Sequence, residues 1–145
     1  MLEKKLTINH IIIIAVGSAV GAIVPIVLQN TVYSPSAKID RSLMKAASQI
    51  NENCPIMIDK ETRLDNAFGG DNKITYNYTL VNVLKDEINL KIFATDIRPI
   101  VIQNFKNIPE SHEMFRQGVT LICRYKDKNG FFLTDISITK NDLGL

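Results

Sequence analysis

An α+β domain behind a single membrane-spanning helix is the fold class this chain predicts. Three observations lead there. Ile11 to Leu28 read IIIIAVGSAVGAIVPIVL, without a charge. Two later stretches alternate apolar and polar residues on either side of glycine-containing turns. Each is preceded by a segment whose apolar residues recur at helical spacing. The expected order is a transmembrane helix and then α-β-β-α-β-β, with a four-stranded antiparallel sheet and both helices on one of its faces.

A helix over the uncharged run rises about 27 Å, close to the roughly 30 Å hydrocarbon core of a bilayer. Helix is the conformation that satisfies a lone span's backbone in lipid. Lys4 and Lys5 precede the run, and the next charge is Lys38. The positive-inside rule therefore places residues 1–10 in the cytoplasm, 11–30 in the bilayer and 31–145 outside. The expected location is the inner membrane, single-pass. A cleaved signal is the alternative, with Ser34 and Ser36 at small-x-small spacing, although the run is long for one. Either way the domain works outside the cytoplasm. Gly17 and Gly21, four apart, form a flat strip where a second helix can pack, so homo-oligomerisation through the span is a candidate property.

SPSAKIDRSLMKAASQINEN, residues 34–53, forms the first helical pattern. Ile39, Leu43, Ala46, Ala47 and Ile50 share a face, with Ser34 or Ser36 as cap. Ile56, Ile58, Thr62, Leu64 and Phe68 then read as one strand of period two. "GGDN", Gly69 to Asn72, is turn chemistry. Ile74, Tyr76, Tyr78 and Leu80 make the clearest strand. A helix is expected from about Asp86, with Ile88, Ile92, Phe93, Ile97, Ile100, Val101 and Phe105 on one broad apolar face and a kink or break at Pro99. A short helical turn within PESHEMFRQG, stopping at Gly118, follows. The last pattern is a hairpin turning at Asp127 to Gly130.

The chain has 17 Lys and Arg against 15 Asp and Glu, interspersed, for a net charge of +2. It carries no basic stripe, so nucleic acid is not an expected partner. Cys54 and Cys123 lie beyond the span, where an oxidising compartment makes them a candidate disulfide. Such a bridge would close a long loop and contribute about 4 kcal/mol. His112 with the two thiols lacks the paired spacing of zinc sites, so no metal and no cofactor are expected. Asp59, Glu61, Arg63 and Asp65 alternate along DKETRLD and would share one strand face, a candidate recognition surface. Asn77-Tyr78-Thr79 spells a glycosylation acceptor in mid-strand, where a sugar is not expected.

NENCPIMIDKETRLD, then ITYNYTLVN, then GVTLICRYKDKNGFFLTDISI resemble a family of small bacterial membrane-anchored or exported proteins. The shared features are a Pro-x-Met-x-Asp run into TRLD, a Tyr-x-Tyr strand and a Tyr-x-Asp-x-x-Gly hairpin. The resemblance implies compartment and fold and no chemistry. Type IV pilins share the order of elements, but TINHIIII carries neither their processing glycine nor their early glutamate.

The expected function is therefore that of an anchored envelope protein. Its outer domain would bind a partner protein, in assembly, secretion support or immunity, without catalysis. A small periplasmic hydrolase using Asp59, Glu61 or Asp65 is one alternative. A self-assembling membrane subunit packing through Gly17 and Gly21 is another.

Overall fold

The computed structural model describes residues 36–145. Helix α1, Ser36–Asn51, buries Leu43, Ala46, Ala47 and Ile50, the face that the spacing predicts. Strands β1 (Ile56–Met57), β2 (Thr62–Gly70) and β3 (Lys73–Leu80) follow. A 3-10 turn, Lys85–Glu87, leads into α2, Leu90–Lys106. Asn89 caps α2, its side chain accepting from the Ile92 N–H at 3.1 Å. Then come α3 (Pro109–Arg116), β4 (Thr120–Lys126), β5 (Phe132–Ile138) and α4 (Lys140–Leu143).

The sheet runs in the order β1-β2-β3-β4-β5 and is mixed, which corrects the four-stranded antiparallel expectation. Both expected hairpins form, β2 with β3 and β4 with β5. They meet along a parallel junction, Lys73 to Thr79 against Thr120 to Lys126. Parallel neighbours need a crossover of about a dozen residues or more. The segment between β3 and β4, with α2 and α3 inside it, is long enough to carry the chain back to the starting end of β3. The fifth strand, β1, is two residues long, too short for periodicity to reveal.

A second correction concerns β2. Asp59 to Glu61 form a turn, so the single expected strand divides there into β1 and β2. The register then shifts between Leu64 and Asn66. A bulge of that kind reverses the alternation beyond it. Leu64 and Ala67 therefore face the core, and Phe68 faces out. The GGDN turn is as expected: Asp71 and Asn72 both take positive φ, which two-residue hairpin loops favour. Pro99 lies inside α2 without ending it. It sits on the exposed side, where water can take the carbonyl its missing N–H leaves free.

Register shows that the helices share one face. Gly69 pairs with Ile74 and Ile74 with Leu121, which alternates with Cys123 and Tyr125. Gly69 lies under Leu43 of α1. Tyr125 meets Phe93 of α2 edge-on, with ring centroids 5.4 Å apart. The core lies between: Tyr76, Tyr78 and Tyr125 on the sheet, and Phe93, Ile97, Val101 and Phe105 on α2.

Among the described residues no helix is long and apolar enough to cross a membrane. The expected span at residues 11–30, with Gly17 and Gly21, lies outside the described residues.

Candidate functional site

With the helices on one face, the other face of the sheet carries no layer from the described residues. Register brings four strands into rows there. Phe68, Thr75, Ile122 and Ser137 make one row, and Asn66, Asn77, Arg124 and Asp135 the next. Arg63, Thr79, Lys126 and Phe132 make a third.

Several polar neighbours on this face are paired with one another. Asn77 donates to the Asn66 side chain at 2.7 Å. Arg124 grips Asp135 through Nε at 2.9 Å and Nη2 at 2.8 Å. Its guanidinium also lies 5.9 Å from the Phe132 ring centroid. The Asp135 carboxylate, by hydrogen bond and by charge, holds the Arg124 guanidinium above its ordinary pKa. Arg63 Nε meets Asp65 Oδ1 at 2.6 Å, and the Thr79 hydroxyl donates to Asp65 Oδ2 at 2.6 Å.

The structure therefore brings Arg63 and Asp65 together, as the alternation predicts, and separates the other two acidic residues. Asp59 precedes β2, where its Oδ1 accepts from the backbone of Glu61 at 2.7 Å and Thr62 at 2.8 Å. Its Oδ2 is buried. Glu61 accepts from the Asn82 amide at 2.8 Å. A turn former, a surface acceptor and half of an ion pair do not make the facing carboxylates of a hydrolase. No group of three or more His, Cys, Asp or Glu side chains that could hold a metal occurs among the described residues. His112 instead places Nε2 at 3.2 Å from the Lys106 carbonyl.

Cys54 and Cys123 are both free thiols. Cys123 is fully buried at the middle of β4, and burial, with the Asp135 charge adding to it, pushes its thiol up to about 12. Cys54 is half-buried, and its pKa is raised by burial and then by the Asp65 charge.

A cleft of about 280 Å³ lies between the 3-10 turn and the β4–β5 turn, lined by Leu84, Lys85, Asp86, Asp127, Asn129 and Phe131. Asp127 Oδ1 accepts from the N–H of Asn129 and of Phe131, each at 2.9 Å, and Oδ2 from that of Lys85 at 3.0 Å. Burial works to raise this carboxyl's pKa. The N–H donors of Phe131, Lys85, Asn129 and Gly130 outweigh it, and the result lies below the ordinary value. The carboxylate is thus a clasp for two turns.

The two edges of the sheet differ. Along β5, Arg98 donates to the Ser137 carbonyl at 2.7 Å while held by Asp142 at 2.6 Å. Along β2, β1 covers only Arg63 and Leu64. Farther along, the Asn51 carboxamide at the end of α1 donates to the Ala67 carbonyl at 2.9 Å and accepts from the Ala67 N–H at 2.7 Å. Four large apolar side chains stand exposed near this edge: Phe68 at 68%, Met44 at 54%, Met57 at 49% and Ile56 at 40%. Sequence reasoning missed Asn51 and Met44, since nothing local to a helix marks which strand its end will meet.

No family model matches the chain, and no curated protein matches it. Solved structures do share its fold. A protein from Pseudomonas aeruginosa, described as secreted, superposes with a TM-score of 0.65 at 9% identity, covering 74% of this chain and 95% of that one. The pilotin EpsS of the Vibrio vulnificus type 2 secretion system gives 0.60 at 7% identity, over 74% of this chain and 94% of that one. The type II secretion system pilotin AspS of Vibrio cholerae gives 0.58 at 9%, over the same shares. At such identities the likeness is one of fold.

Proposed function

We propose that the domain is an extracytoplasmic, non-enzymatic binding module that engages a partner protein in support of a secretion assembly. One observation carries this reading. On the open sheet face Asn66 is paired with Asn77, Arg124 with Asp135, and Arg63 and Thr79 with Asp65, whereas Ile56, Met57, Met44 and Phe68 stand exposed along β2. Clustered exposed apolar side chains beside a polar surface suit a protein interface. The carboxylates that would have served hydrolysis are taken up by a turn and by surface pairs. The fold likeness to two type II secretion pilotins adds support for secretion as the setting.

Photo-crosslinking in whole cells tests it. A photoreactive residue at position 68 should capture one specific envelope protein. The same residue at position 141, exposed on α4, should capture none. Equal capture at both positions, or none at 68, defeats the reading.

A further inference from the structure

We propose that the outer edge of β2, from Asn66 to Gly70, accepts an added β-strand: an extended segment of the partner protein, apolar at alternate positions, that replaces the Asn51 carboxamide. The proposal rests on the partner-binding reading and names its surface and mode.

The backbone supplies the first reason. β1 pairs with Arg63 and Leu64 alone, and the register breaks just past them. Upstream of β1 stands Pro55, which has no N–H with which to extend the ladder. No strand of the described residues lies along Asn66 to Gly70 on that side. A strand edge left open in this way is a template for another chain.

Asn51 shows what the template takes. A carboxamide offers one carbonyl and an N–H donor, the groups of a peptide unit. Its two bonds to Ala67, one given and one accepted, are those that opposite residues exchange in the hydrogen-bonded pair of an antiparallel ladder. Asn51 thus occupies the place of one residue of a missing strand. An incoming antiparallel segment replaces both bonds in kind, so the exchange of hydrogen bonds is close to neutral. The driving force is then the apolar surface that it covers.

That surface lies on both sides of the edge. Ile56 is level with Leu64 on the helix side, and Met57 and Phe68 lie on the open side. At Gly70, a β-carbon would stand 3.7 Å from the Met44 methyl and 3.9 Å from the Phe68 ring. Side chains of an added strand point alternately to the two faces, so apolar residues at alternate positions would meet Met57 and Phe68 on the open side. The β5 edge is guarded differently, by an arginine already tied to Asp142. Charge at an edge repels pairing. The guard on β2 is neutral and stands on the last residue of α1.

The test selects a phage-displayed library of random linear peptides against the full chain. The best binder is then synthesised. It should carry apolar residues at alternate positions and protect the Ala67 amide from hydrogen exchange. Phe68→Ser should weaken it about tenfold. Asn51→Ala, which leaves Ala67 unoccupied, should tighten it several-fold. A selection without binders, protection elsewhere, or affinity unmoved by Phe68→Ser overturns the proposal. Dimerisation of Asn51→Ala without peptide gives the edge to a second copy and overturns it too. So do cross-peaks between Ala67 and residues 1–35 in the free protein. A cellular partner captured equally by wild type, Phe68→Ser and Asn51→Ala leaves partner binding standing and removes only this edge. Protection of Ala67 by the peptide, with no partner captured in cells, supports the edge and removes the cellular reading.

Discussion

Gly69 lies directly beneath the main-chain carbonyl of Leu43. A β-carbon at position 69 would collide with that carbonyl and with the Met44 nitrogen. Neither belongs to a flexible side chain, so α1 would have to lift off β2. Gly69→Ala should therefore destabilise the domain by about 2–3 kcal/mol. Gly130 is the control. It takes φ +86 in the β4–β5 turn and has nothing within 4 Å of its β position. Gly130→Ala meets backbone strain alone, about 1 kcal/mol. Thermal unfolding of the two variants decides, and a smaller loss at 69 than at 130 would refute the close contact.

Those two glycines also show what a sequence can and cannot reveal. GGDN reads as a turn because local backbone preference is enough to make one. That Gly69 must lack a side chain depends on α1, which crosses it from far up the chain. Tyr76 and Tyr78 read correctly because no bulge interrupts β3. Phe68 reads wrongly because one shift beside Asp65 reverses the alternation after it. The parallel β3–β4 junction is set by where a long crossover lands, which no local pattern encodes. Arg63 and Asp65 are legible as a pair, two residues apart on one strand. The meeting of Asn51 with Ala67 is not legible, since it joins a helix end to a strand edge.

Asp127 ties the β4–β5 turn to the 3-10 turn through three backbone N–H groups. Asp127→Ala strands those donors and should cost about 1–3 kcal/mol. Its folded pKa lies below the ordinary 3.8. The unfolded chain therefore takes up the proton first as pH falls. The stabilisation is full above the unfolded value and is lost as pH drops through the folded one. Asp142, lowered in the same direction, adds to the loss. Denaturant titrations across the acid range should show stability falling below about pH 4. Asp127→Asn should flatten that fall. An unchanged acid profile in Asp127→Asn counts against the clasp.

Cys54 and Cys123 should differ sharply toward a thiol reagent. Thiolate is the reacting form, and burial disfavours it most at Cys123, whose pKa is about 12. Cys54 is half-buried, its pKa raised by burial and then by the Asp65 charge, and it is the thiol that a reagent can reach. Native protein at neutral pH should label at Cys54 alone, and unfolded protein at both. If no thiol labels before reduction, even after unfolding, the two cysteines are bridged and the free-thiol arrangement is wrong.

Tyr125 separates packing from hydrogen bonding in the core. Its ring stacks on Tyr78 at 5.3 Å and meets Phe93 edge-on at 5.4 Å. Its hydroxyl is buried without a hydrogen bond to the protein. Burial, the charge of a Cys123 thiolate and then the Asp59 charge raise its pKa well above the ordinary value, so it stays neutral. Removing a buried hydroxyl that bonds to no protein group relieves a desolvation penalty and leaves the ring contacts in place. Tyr125→Phe should therefore change stability by less than about 1 kcal/mol, toward stabilisation. Tyr125→Ala empties the space between Tyr78 and Phe93 and should cost about 3–5 kcal/mol. If Tyr125→Phe costs as much as half of Tyr125→Ala, the hydroxyl holds a bond that ties β4 to the Asp59 turn, and packing alone does not explain this part of the core.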